Sequence, residues 1–178
     1  MSTTSEDGVD NLAPHSFFTI SCIDPPVIQF TSVGRKDSLR NVKATGEFVV
    51  CLAPEDLFEA INATGTDFPP EEDEFAEVGL EREPSLRVRP SRVAQSPVAI
   101  ECSLRDTISF GDSTVVFGTV LHLAVEADAV VDGLPEIDRL RPLARLGRDQ
   151  WSTIGDVRSI QRIKRRDWPG HYERPSDG

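Results

Sequence analysis

Between Val98 and Ala127 the chain reads VAIECSLRDTISF, then Gly111-Asp112, then STVVFGTVLHLAVEA. Apolar and polar residues alternate through much of both runs, which is the period of a strand with one face on a core. A two-residue Gly-Asp joint between such runs predicts a long antiparallel hairpin. The other candidate strands are Ser16–Ile23, Val27–Ser32 and Glu47–Ala53, the first two parted by Asp24-Pro25-Pro26. They follow one another without a strand–helix–strand rhythm.

Two helices are expected. Lys36–Thr45 has Asp37 or Ser38 as N-cap and Gly46 just past its end, and Pro54–Thr64 has Pro at its start and acids in its first turn. Gly65–Phe75 reads as a polar connection, Glu81–Pro97 as extended and irregular, and Ile137–Gly147 as a loop or short helix. Residues 164–178 form a polar tail in which Trp168 and Tyr172 are expected to dock on the body. A mainly β protein follows, an antiparallel barrel with a few packed helices, rather than a doubly wound parallel sheet.

The 178 residues suit one domain. A formal charge of −11 repels a phosphate backbone, so nucleic acid is not the expected partner. Cys22, Cys51 and Cys102 are far apart, form no CxxC pair and are odd in number, which suits buried free thiols in a reducing compartment. MSTTSEDGVD lacks the basic and apolar regions of a signal peptide, and no apolar run approaches a membrane span. A cytoplasmic location is the expectation.

The sharpest chemical signal is TSVGRKDSLRN, Thr31–Asn41. A strand ends, Gly34 permits a tight turn, and Arg35 and Lys36 arrive just before a helix begins. Free N–H groups and partial positive charge at a helix start favour an anion. Thr31, Ser32 and Ser38 add hydroxyls, and arginine can hold two phosphate oxygens. The same residues also suit a capped helix with two solvated cations. The second signal is NLAPHSFF, Asn11–Phe18, where Pro14 breaks up the backbone before an apolar strand. Its free N–H and C=O groups could read the polar edge of a planar ring beside Phe17 or Phe18. It could equally be a strand entrance with core aromatics.

Taken in order, NLAPHSFF, IDPP, SVGRKDSLRN and ATGEFVV resemble the flavin reductase-like family of FMN-binding split barrels. SPVAIECSL, GTVLHLAV and RPLARLG extend the likeness, which covers Ser2 to Ile163. The resemblance implies a Greek-key antiparallel split β-barrel over residues 2–163 and a homodimer with FMN near the interface. It implies that Asn11, Ala13, Pro14 and Ser16 line the ring and ribityl chain. Thr31, Ser32, Arg35, Lys36 and Ser38 would hold the phosphate, while Arg145 and Trp151 would cover the flavin, from the same or the partner subunit. NADH or NADPH would be the electron donor, FAD is the less favoured flavin, and an oxygenase or other redox protein would be the acceptor. A flavin-binding electron carrier without NAD(P)H oxidation is the alternative.

His15 stands where relatives often carry Tyr, and Cys51 where Asn is common. The chain opens at Met1-Ser2-Thr3, where relatives usually carry a leading segment: either the true start lies upstream or the barrel lacks part of its first strand, and a missing strand would leave an unpaired edge. His15, His122 and His171 are scattered, and no spacing suggests a metal site. His122 is expected to be a hydrogen-bonded strand histidine. No Rossmann glycine fingerprint or P-loop occurs.

Overall fold

The structure, a computed structural model, describes residues 1–170; His171 and Tyr172 lie outside the described residues. Its elements in chain order are β1 (Ser2–Thr4), β2 (Asp10–Leu12), β3 (Phe18–Cys22), β4 (Val27–Val33), α1 (Asp37–Thr45) and β5 (Glu47–Cys51). There follow α2 (Phe58–Ala63), α3 (Glu74–Val78), β6 (Arg82–Glu83), β7 (Arg92–Val93), β8 (Val98–Phe110) and β9 (Ser113–Val125). The last are β10 (Val130–Val131), β11 (Leu134–Pro135), α4 (Ile137–Leu140), β12 (Ala144–Arg145) and β13 (Trp151–Ser152).

The hairpin of β8 and β9 forms as its alternation predicts, two 13-residue strands closing at Gly111-Asp112 with Gly111 at φ +58°. It is the centre of a seven-stranded antiparallel sheet in the order β2-β1-β5-β8-β9-β4-β3. Register shifts at Leu121 and Arg105 leave one extra residue on each long strand. Such bulges bend strands and raise their twist, which lets a long hairpin curl around a core. Ser2–Thr4 lies between β2 and β5 and is buried, although only Ser2 pairs with β5, opposite Val49.

Phe30, Phe48, Val116 and Cys102 fill the concave face of this sheet, and Leu39 and Val42 of α1 close it. Phe30 and Phe48 meet edge to face at 5.4 Å. Gly118 is there because nothing larger fits: a Cβ would lie 2.3 Å from the Phe48 ring. Behind the sheet, Phe75 of α3 packs with Leu12, Leu80 and Val93. Burial raises the Cys102 thiol pKa to about 12.

Several local expectations are corrected. The N-cap of α1 is Lys36, with no side-chain hydrogen bond, so neither Asp37 nor Ser38 caps it. Asp37 instead pairs with Arg40 at 2.6 Å, one turn along the helix. The stretch from Pro54 is a single 3₁₀ turn followed by the short α2. The polar connection hides α3, whose N-cap Asp73 accepts from the Phe75 and Ala76 amides. Cys22 and Cys51 are only partly buried. Among the described residues the His122 ring finds no hydrogen-bond partner; it lies opposite the buried Glu101. Trp168 is exposed rather than docked.

Candidate functional site

A cavity of about 690 Å³ lies against β5 and β8. Its floor is Val50 and Ile100, directly opposed across those strands, with Val98 beside them. One wall is the irregular segment Leu12–Ser16 with Phe18, and another is Leu57 and Ile61 at the start and within α2. The roof is the segment from Pro142 to Arg145, with Trp151.

That roof is held by paired backbone and charge. The Leu143 amide donates to the Ala53 carbonyl at 2.8 Å, and the Glu55 amide donates to the Arg141 carbonyl at 2.9 Å. The Arg141 guanidinium meets Glu55 at 2.6 Å and Asp56 at 3.1 Å. Trp151 packs edge-on against Phe58 at 5.6 Å, and Arg145 lies 4.9 Å from the Trp151 ring centroid. Flat apolar walls with few charges suit a planar, largely apolar ring system.

The polar end of the site begins at His15. Its Nε2 lies 3.2 Å from Ser38 Oγ in the first turn of α1, and Asn11 Nδ2 donates to the same oxygen at 3.2 Å. Asn11 also donates to Thr3 Oγ1, as does Asn41. Burial, with the charge of the Met1 ammonium and then of Lys36 adding to it, lowers the His15 pKa to about 4, so the ring is neutral at physiological pH. The Thr31 amide donates to the Phe17 carbonyl at 2.9 Å, fixing the end of β4 beside this segment. Because α1 has no side-chain cap, its first N–H groups have no side-chain acceptor, and Arg35 and Lys36 stand exposed beside them. Ser32 Oγ is buried without a partner among the described residues.

The sequence-derived residues therefore fall into two groups. Ala13, Pro14, Ser16, Arg145 and Trp151 line the cavity, the last two from the same chain as the rest. Thr31, Ser32, Arg35, Lys36 and Ser38 gather around the start of α1, outside the cavity lining. Asn11 lies behind the wall and joins the groups through Ser38. Sequence reasoning missed the α2 wall and the Pro142–Ala144 roof. The apolar pair Leu57 and Ile61, four residues apart, was the available signal for the first.

The flavin reductase like domain family matches residues 1–138. The chain belongs to that family. The flavin reductase-like protein is 38% identical over 154 residues to an uncharacterized protein of Aquifex aeolicus, covering 83% of this chain and 78% of that one. It superposes on nitrilotriacetate monooxygenase component B of Bacillus cereus with TM-score 0.85 and 28% identity, covering 89% and 84% of the two chains. A Shewanella frigidimarina structure with a split barrel domain gives TM-score 0.85 at 19% identity, covering 91% and 83%. The expected antiparallel split barrel is thus the fold, and the protein is of the flavin-related oxidoreductase kind. Among its described residues no helix is long and apolar enough to cross a membrane.

Proposed function

We propose that this flavin reductase-like protein binds FMN, with the ring in the cavity and the phosphate at the start of α1, and that NADH or NADPH reduces it. The observation that carries the reading is the His15–Ser38 contact at 3.2 Å, which joins an apolar-walled cavity to an uncapped helix start flanked by two cations. The residues fit such a ligand. The His15 and Ser16 amides, on the cavity wall, have no acceptor among the described residues and can donate to the polar edge of a ring. Arg35, Lys36, the free N–H groups of α1 and the orphan Ser32 hydroxyl can satisfy a phosphate.

When bound, FMN would supply the hydride chemistry itself. The protein's part is to position the ring between Val50, Ile100 and Trp151 and keep water from it. No side chain is assigned as acid or base, since His15 is held neutral and engaged with Ser38. Family relatives include a monooxygenase component, which supports an oxygenase or similar protein as acceptor of the electrons. The cavity opens beside exposed Phe18, which supports a homodimer that covers it.

Anaerobic mixing of the FMN-loaded protein with NADH, and separately NADPH, tests the reading. Bleaching of the flavin absorbance with either is the expected result. No bleaching with both would leave the electron-carrier alternative, for which the −11 charge offers a docking surface for a basic redox partner.

A further inference from the structure

Among the described residues, Arg145 is the only charged side chain on the cavity lining, His15 being held neutral. A hairpin sets its place. Ala144–Arg145 of β12 pairs with Trp151–Ser152 of β13, and Arg145 lies directly opposite Trp151. The Leu146 amide donates to the Gln150 carbonyl at 2.9 Å, and Arg148 turns the chain at φ +59°. Opposed residues share one face of a two-stranded ribbon, so the guanidinium comes to lie over the Trp151 ring, 4.9 Å from its centroid.

That guanidinium is largely unpaired. It carries five N–H donors, and its one hydrogen bond goes to the Arg148 carbonyl. Asp149 Oδ1 lies 3.9 Å away, beyond hydrogen-bond reach, and is fully exposed, so it neutralises little. Arg141, in the same roof, is by contrast closed by Glu55 and Asp56. The Met1 ammonium beside the cavity is already bonded to the Ala13 carbonyl at 2.8 Å.

The phosphate of a bound flavin has other cations to meet. Arg35 and Lys36 stand at the start of α1, and neither lines the cavity. A spare cation at the ring end therefore calls for a second anion. The dihydronicotinamide donor brings one, a diphosphate, which a chain of net charge −11 repels at long range. Docking such a donor needs a local cation beside the ring, and an arginine can hold two phosphate oxygens at once.

We propose that Arg145 binds the diphosphate of NADH or NADPH and so selects a dinucleotide over a neutral dihydronicotinamide. The assignment rests on reading the cavity as the flavin site with this class of donor. Trp151 is a positioning residue in it, since its ring carries the guanidinium at the cavity roof.

The test compares the FMN-loaded natural protein with Arg145→Gln and Arg145→Lys. Calorimetry with the tetrahydro analogues of NADH and NADPH, which do not give up hydride, reads binding without turnover. Arg145→Gln should raise their dissociation constants roughly tenfold or more, and Arg145→Lys should recover part of the loss. Anaerobic stopped-flow then reads flavin reduction by NADH, by NADPH and by N-benzyl-dihydronicotinamide, a donor without phosphate. In Arg145→Gln the second-order rate constant with the dinucleotides should fall roughly tenfold further than with the neutral donor. Analogue affinities unchanged in Arg145→Gln, equal losses for all donors, or a matching loss of FMN affinity by fluorescence titration would overturn the proposal. Arg145-dependent binding of the analogues, without any reduction by NADH or NADPH, would uphold the assignment of Arg145 and end the reductase reading.

Discussion

His15 Nε2 and Ser38 Oγ, 3.2 Å apart, are the hinge between the two halves of the site: one residue faces the cavity, the other begins α1. The imidazole is largely but not fully shielded from solvent, and its pKa falls from 6.5 to about 4. The unfolded chain therefore takes up the proton first as pH drops. His15 contributes full stability above about pH 6.5, and that contribution is lost as pH falls toward 4, to a total on the order of 3 kcal/mol. Urea unfolding at neutral pH and near pH 5 should show the loss in the natural chain and a smaller one in His15→Phe. Equal pH slopes in both would show that His15 is not held neutral.

Arg35 and Lys36 flank an uncapped helix start rather than the cavity. Changing both to Ala should weaken FMN by roughly one to two orders of magnitude and leave riboflavin, which has no phosphate, almost unaffected. Fluorescence quenching titrations with the two flavins read the difference. Equal losses would move the phosphate elsewhere.

Trp151→Ala should have the opposite pattern. The ring forms part of the cavity roof and meets Phe58 edge-on, so its loss removes contact with the ring system and not with the phosphate. FMN and riboflavin should weaken alike, roughly tenfold. Selective loss of FMN would place Trp151 at the phosphate end.

Gly118→Ala is a test of the core alone. The added methyl would sit 2.3 Å from the Phe48 ring and 3.1 Å from Cys102 Cβ, in a region with no exposure. Overpacking of this kind costs about 1–3 kcal/mol, occasionally more. The denaturant midpoint should fall accordingly, and an unchanged midpoint would mean that Phe48 can turn aside freely.

Much of the fold was legible because its signals are local. Period-two alternation and the Gly-Asp joint located β8 and β9, and Gly46 marked the end of α1 with φ +74°. Errors came where local signals compete. Asp37 and Ser38 looked like caps, but Asp37 finds Arg40 and Ser38 is drawn inward by Asn11 and His15. The acid run Glu71–Glu74 looked like a solvated loop. Yet Asp73 caps α3, Phe75 is fully buried, and Glu74 accepts the Leu12 amide at 3.1 Å. Burial raises the Glu74 pKa, a cost that composition does not reveal.

By itself the sequence determined the class of fold and, through an ordered series of motifs, the family and the residues around the start of α1. Those properties rest on spacing within a few residues, which a linear reading resolves. Only the tertiary structure decided which of them share a surface. Ala13, Ile61, Leu143 and Trp151 meet around one cavity because the sheet curls at its bulges and Arg141 clamps the roof to Glu55 and Asp56. Contacts between segments about a hundred residues apart depend on how the whole chain packs, and no local period encodes them.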